Sequence, residues 1–237
     1  MITDLAKGSE KDKSNKPIEL AVFDFDNTSI AGSSPVLLVR HLLDKKLLSP
    51  LVIARICLWG VAYKCRLPQQ EKSVRALVFS AFEGMQKKEA DAFLYDFFDE
   101  KINKLFREEA DTAMREHAKA GRVIIVLSAT FEPIVVRAME FHPFDFQLST
   151  RMCVDDTGAY TCQVEGNPIE GEEKVLAVKR FADERYGEGS WKLAYAYGDH
   201  HSDRPLLFAA EHAMAVCPDK PLKRTARNEN WQVLNWV

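Results

Sequence analysis

The sequence predicts an α/β fold: a doubly wound, mostly parallel sheet with an all-helical segment inserted behind its first strand. Three observations predict it. Short apolar runs that stop abruptly at acids, glycine or hydroxyls recur along the chain, and helical patterns separate them. One gap between two such runs, residues 33–107, is far too long for an ordinary crossover and is itself helical in pattern.

Residues 1–16 (MITDLAKGSEKDKSNK) lack the apolar core of a leader peptide and read as a solvated, disordered tail. Ile18 to Phe25 reads as the first buried strand. In the insert, Val36, Leu37, Leu42 and Leu43 form one helical stripe. Ala90, Phe93, Leu94, Phe97, Phe98 and Ile102 form another at three- and four-residue steps. Leu47 to Tyr63 is the most apolar stretch. It carries Pro50, Arg55 and Gly60 and falls short of the roughly 20 apolar residues that span a bilayer, so it reads as a buried helix and not a stable span. Val123 to Leu127 is the second strand, with a helix over Glu132 to Glu140 behind it. Arg151 to Val164 reads as a β-hairpin. With Thr157-Gly158 as a two-residue turn, Asp156 pairs with Ala159, Asp155 with Tyr160, Val154 with Thr161 and Cys153 with Cys162. A helix over Glu172 to Tyr186, a strand over Leu193 to Tyr197, a helix over Ser202 to Ala210 and a strand over Ala213 to Cys217 complete the core. That core comprises residues 17–32 and 108–237, and the insert is a helical cap.

A net charge of −3 gives no general attraction to nucleic acid or anionic membrane, so any phosphate site must be built locally. The cysteines are odd in number, form no CxxC pair and suit a reducing cytoplasm, where Cys153 and Cys162 stay reduced.

Doubly wound sheets bind ligands past the carboxyl ends of their strands. The first strand ends Asp24-Phe25-Asp26-Asn27-Thr28, and strand alternation places Asp24 and Asp26 on one side. Two such carboxylates repel unless a cation or proton answers them. The second strand ends Leu127-Ser128-Ala129-Thr130 before a helix with Pro133 near its start, which suits an anion. The third ends Gly198-Asp199-His200-His201-Ser202-Asp203, adding two acids to an oxygen-rich pocket of the kind Mg²⁺ occupies. Lys174 opens the helix before that strand. Each feature alone is also an ordinary turn, cap or solvated charge; their order and placement are not ordinary.

DFDNT, LSAT, Lys174 and GDHHSD resemble, in order, the four signature motifs of the haloacid dehalogenase superfamily. The helical insert and the segment Gly171 to Ala177 resemble its phosphoserine phosphatase-like branch. The resemblance implies a Mg²⁺-dependent phosphatase acting on a small phosphorylated substrate. Asp24 is the expected nucleophile and Asp26 the general acid and base. Mg²⁺ is expected on Asp24, the main-chain carbonyl of Asp26 and Asp199. Ser128 and the Ala129 amide are expected to hold phosphate, Lys174 to balance charge, Asp203 to orient Lys174 or a metal-bound water, and Thr28 to steady the nucleophile loop. His is a common ligand of zinc-like sites, but of His200 and His201 one is expected to line the phosphate pocket and the other to face solvent or the cap. True phosphoserine phosphatases carry an acid seven residues after the second aspartate; Ser33 stands there, which counts against phosphoserine. Arg40, Arg55, Lys64, Arg66 and Arg75 could meet an anionic substrate, and the apolar Leu47 to Tyr63 stretch leaves a lipid phosphomonoester open. A non-catalytic module that only binds phosphorylated ligands is the alternative from another class; a receiver domain would explain neither the insert nor Asp26.

Overall fold

The computed structural model describes residues 16–48, Ala54 and residues 78–237. The tail reading, most of Leu47 to Tyr63, and Arg55, Cys57, Lys64, Cys65, Arg66 and Arg75 lie outside the described residues. A six-stranded sheet forms the centre, with strand order β3-β2-β1-β6-β7-β8. Its strands are β1 (Ile18–Asp24), β2 (Val123–Phe131), β3 (Phe146–Thr150), β6 (Trp191–Gly198), β7 (His212–Val216) and β8 (Gln232–Leu234), and every pairing is parallel. β4 (Met152–Val154) and β5 (Tyr160–Val164) form a separate antiparallel hairpin.

β1 is central because both of its faces are apolar. Ala21 and Phe23 point into one core cluster, while Leu20 and Val22 point into the other. On the first face lie α3 (Glu108–Lys119) and α4 (Glu132–Ala138), through Met114, Ile134 and Val135. On the second lie α5 (Glu172–Tyr186), α6 (Arg204–Ala209) and α7 (Lys220–Asn228), through Val178, Leu206, Leu207 and Leu222. The chain winds from β1 outward through β2 and β3, then returns across the sheet to β6 and winds the other way. The reversal leaves a crevice at the carboxyl ends of β1 and β6, where doubly wound sheets hold ligands.

Between β1 and β2 run α1 (Ser34–Asp44) and α2 (Lys87–Phe97). The stripe expected over α2 and the helical turn after it holds: Ala90, Leu94, Phe97, Phe98 and Ile102 are fully buried, and Phe93 is partly buried against them. The α1 stripe is corrected. Its buried face is Ser34, Leu38, His41 and Leu42, whereas Val36 and Leu43 are exposed. The chain enters and leaves this segment side by side: Ala31 N–H donates to Leu105 O at 2.7 Å and Arg107 N–H to Ser29 O at 2.9 Å.

The hairpin register also differs from expectation. Val154 faces Tyr160, Met152 faces Val164, and a bulge lies between the two pairs. A two-residue turn at Thr157-Gly158 would need positive φ at both positions, a poor choice for β-branched Thr. Only Gly158 takes it (φ 82°). Asp155 instead organises a longer turn, accepting from Thr157 N–H at 2.8 Å and Ala159 N–H at 3.0 Å. Cys153 and Cys162 are both free thiols. The hairpin is stitched to the inserted segment: Gly84 N–H donates to Tyr160 O, Tyr160 N–H to Met85 O, and Tyr160 OH to Asp91.

On the first face, Phe23 stacks on Tyr197, and the His117 ring bonds the Tyr197 hydroxyl at 2.9 Å. Burial, with a lesser push from Arg122, lowers the His117 pKa to about 4. Above pH 6.5 His117 is neutral folded or unfolded. As pH falls toward 4 the unfolded chain gains a proton that the folded chain refuses, costing up to about 1.4 kcal/mol per pH unit. Urea unfolding at pH 7 and pH 5 should therefore show wild type losing about 2 kcal/mol more than His117→Gln. Equal losses would contradict this placement of His117.

Candidate active site

The candidate site is built at the crevice. β1 delivers Asp24, which is 6% exposed. The strand stops there. Residues Phe25–Ser29 form a wide turn with Asn27 at φ 56°, a left-handed conformation that Asn tolerates. Ser29 Oγ donates to the Asp24 carbonyl at 2.7 Å and holds the turn against the strand end. Thr28 Oγ1 donates to Asp199 Oδ1 at 3.4 Å, linking the ends of β1 and β6.

Strand alternation does not govern Asp26, because Asp26 lies in the turn and not in β1. Its carboxylate accepts the N–H of Ser34, the first residue of α1. The acid thus sits where the inserted segment begins and answers one of the free amides of a helix start.

Lys174 lies in the first turn of α5 and is 5% exposed. Its Nζ is 2.5 Å from Asp24 Oδ1 and 2.5 Å from Asp203 Oδ1. Burial alone would lower its pKa; Asp203 and Asp24 outweigh burial, raise it and keep the amine charged. Asp203 is 1% exposed, and its Oδ2 accepts the His200 N–H at 3.1 Å. Gly198 is required for this approach. A Cβ there would stand 2.8 Å from the Asp203 Cβ and 2.9 Å from its Oδ2.

Carboxylate oxygens of Asp24, Asp199 and Asp203 lie within 4.8 Å of one another. The Asp199 pKa rises to about 7, chiefly through burial and then through Asp203, with Lys174 opposing. Asp24 is raised as well, by burial first and by Asp203 and Asp199, against the pull of Lys174. Three carboxylates around one ammonium leave the pocket short of positive charge. Its all-oxygen donor set fits a hard divalent cation such as Mg²⁺.

Ser128 is buried, but not at a helix start as expected. β2 continues to Phe131, and α4 begins only at Glu132. The reason is visible in the register: Ser128 faces Ser149 and Phe131 faces Thr150, so Ala129 and Thr130 drop out of the ladder with β3. Thr130 N–H donates to Ser128 Oγ at 3.0 Å, and Ser34 Oγ donates to Thr130 Oγ1 at 3.0 Å. Ser29 went unread in the sequence, since an isolated hydroxyl carries no pattern. Both His200 and His201 turn to Asp219, the His200 ring partly covered and the His201 ring half exposed. Asp219 was also unread, although an acid ahead of Lys220-Pro221 is an N-cap signal.

The haloacid dehalogenase-like hydrolase family matches residues 21–207 of the chain. The chain belongs to that family. It is 27% identical over 232 residues to a histidinol-phosphatase of Neisseria meningitidis, covering 92% of this hydrolase and 98% of that protein. A structure of unknown function from Bordetella pertussis superposes with a TM-score of 0.82 at 23% identity, covering 93% of this chain and 99% of the other. A substrate-bound phosphoserine phosphatase superposes at 0.62 with 20% identity, covering 94% of each. The family fold is thus shared with phosphoserine phosphatases.

In this hydrolase, replacing Lys174 by Met would leave Asp24 and Asp203 buried without their cation. Breaking a buried pair from one side costs about 3–5 kcal/mol. Urea unfolding in EDTA should show that loss for Lys174→Met. A loss below about 1 kcal/mol would mean that the carboxylates are already neutral in the native state.

Proposed function

We propose that this hydrolase is a phosphatase that cleaves small phosphomonoesters through Asp24. The observation that carries the reading is the position of Asp24: a buried carboxylate at the sheet's reversal point, bonded to Lys174 and faced by Asp199. Family membership and the likeness to a histidinol-phosphatase support phosphate as the group removed.

In the first step an Asp24 oxygen attacks phosphorus, the bond from phosphorus to the alcohol oxygen breaks, and Asp26 gives the departing oxygen its proton. In the second, Asp26 takes a proton from water, the water oxygen attacks the aspartyl-phosphate, and inorganic phosphate leaves with Asp24 restored. Ser128 and the Ala129 amide hold phosphate oxygens. Lys174 balances charge on the nucleophile, and Asp203 acts through Lys174. Asp24, the Asp26 carbonyl and Asp199 would hold Mg²⁺, which when bound supplies positive charge between anions that otherwise repel. Asp26 favours ester hydrolysis over other chemistries of the fold, because the leaving alcohol needs its proton.

None of these groups distinguishes one alcohol from another. We assign that choice to residues 33–107 as a cap, with the paired connectors at Ala31 and Arg107 as its hinge. Ser33 in place of an acid makes phosphoserine a poor substrate. The cysteine usage favours the cytoplasm, and among the described residues no helix is long and apolar enough to cross a membrane.

The test is turnover of p-nitrophenyl phosphate. Asp24→Asn should abolish it while the fold stays intact, and Asp26→Asn should reduce it by about 10²–10⁴-fold. EDTA should stop the wild type, and Mg²⁺ should restore it. An Asp24→Asn variant retaining a tenth of the activity, or full activity in EDTA, would overturn the assignment.

A further inference from the structure

We propose that His200, His201 and Asp219 form a second metal site, for a first-row transition ion such as Zn²⁺, distinct from the carboxylate cluster. The donor atoms of the three residues lie within 4.8 Å of one another. His200 Nε2 is 3.5 Å from Asp219 Oδ2, and His201 Nδ1 is 3.3 Å from the same oxygen. The two separations are long for a direct hydrogen bond, the His201 contact being a weak one. They match the edge of a tetrahedron, since zinc bonds of about 2.0–2.2 Å set ligands roughly 3.3–3.5 Å apart. Two imidazoles and a carboxylate are a donor set that zinc prefers and magnesium does not.

Two of the three ligands, His200 and Asp219, are also held from behind, as ligands of protein metal sites are. His200 Nδ1 bonds Ser202 Oγ at 2.9 Å, which turns Nε2 toward Asp219. Asp219 Oδ1 is committed to the Leu222 N–H at 2.7 Å, capping α7, while Oδ2 faces both rings and also accepts the His201 N–H at 3.4 Å. The His201 ring is half exposed and the His200 ring only partly covered, so an ion has access and a fourth position stays open. The site borders the catalytic cluster: Asp219 N–H donates to the Asp199 carbonyl at 2.9 Å, and His200 N–H donates to Asp203. An ion on these ligands would tie the start of α7 to the loop carrying Asp199 and Asp203.

Titration of the full chain with Zn²⁺, in saturating Mg²⁺, tests this by calorimetry. Co²⁺ absorption provides a second readout, in which nitrogen and oxygen ligands lack the thiolate band of a cysteine site. Wild type should bind one Zn²⁺ that His200→Ala, His201→Ala and Asp219→Asn each lose, with circular dichroism unchanged. Ser202→Ala should weaken binding by about 10–100-fold. Asp199→Asn, which damages the magnesium cluster, should keep the Zn²⁺. Unchanged stoichiometry in the histidine variants, loss of the ion in Asp199→Asn, a thiolate band with Co²⁺, or no binding by wild type would each overturn the proposal. The Asp199→Asn arm separates its failure from failure of the phosphatase reading.

Discussion

Lys174 holds the candidate site together by standing 2.5 Å from two buried carboxylates that come from distant parts of the chain. Asp24 ends β1, Asp203 follows β6, and α5 brings the cation between them. Removing ions from water costs several kcal/mol each, so such an arrangement persists only where geometry and further hydrogen bonds repay it. Here they do: Asp203 also accepts the His200 amide, and Gly198 lets its carboxylate come within contact of the β6 backbone. Asp199 is the third carboxylate, its pKa raised to about 7 chiefly by burial and then by Asp203, against the pull of Lys174.

The sheet supplies this geometry by topology. Outward winding from β1 in both directions leaves the ends of β1 and β6 side by side, with apolar residues filling both faces beneath them. Hydroxyls then connect the parts: Thr28 joins β1 to β6, and Ser34 joins α1 to β2. The Asp26 carboxylate sits on the first amide of α1, so the proposed general acid is coupled to the segment proposed as the cap. The bond from the Gly84 N–H to Tyr160 O and that from the Tyr160 hydroxyl to Asp91 make the β4–β5 hairpin a second point of attachment for that segment.

Much of this was legible in the sequence, for physical reasons. Central strands are buried on both faces and read as unbroken apolar runs, so β1, β2, β6 and β7 stood out. β3 (FQLST) and β8 (QVL) lie at the sheet edges, half buried and mixed in polarity, and escaped notice. The α1 stripe misled because Leu43 and Val36 look like core residues, whereas the buried position falls to His41, packed between Phe93 and Phe97. Asp24, Lys174, Asp199 and Asp203 were readable because each follows or precedes a recognisable strand. Neither the path of Asp26 nor the meeting of His200, His201 and Asp219 could be read, since backbone turns and contacts across 18 residues leave no local period.

The central claim is that phosphate passes through a covalent bond to Asp24. The direct measurement is rapid acid quench of the enzyme during turnover, followed by borohydride reduction and peptide mass mapping. The proposed mechanism predicts that reduction converts Asp24, and no other aspartate, to homoserine. An unmodified Asp24 under steady turnover, or a modified Asp26 or Asp199 in its place, would contradict it.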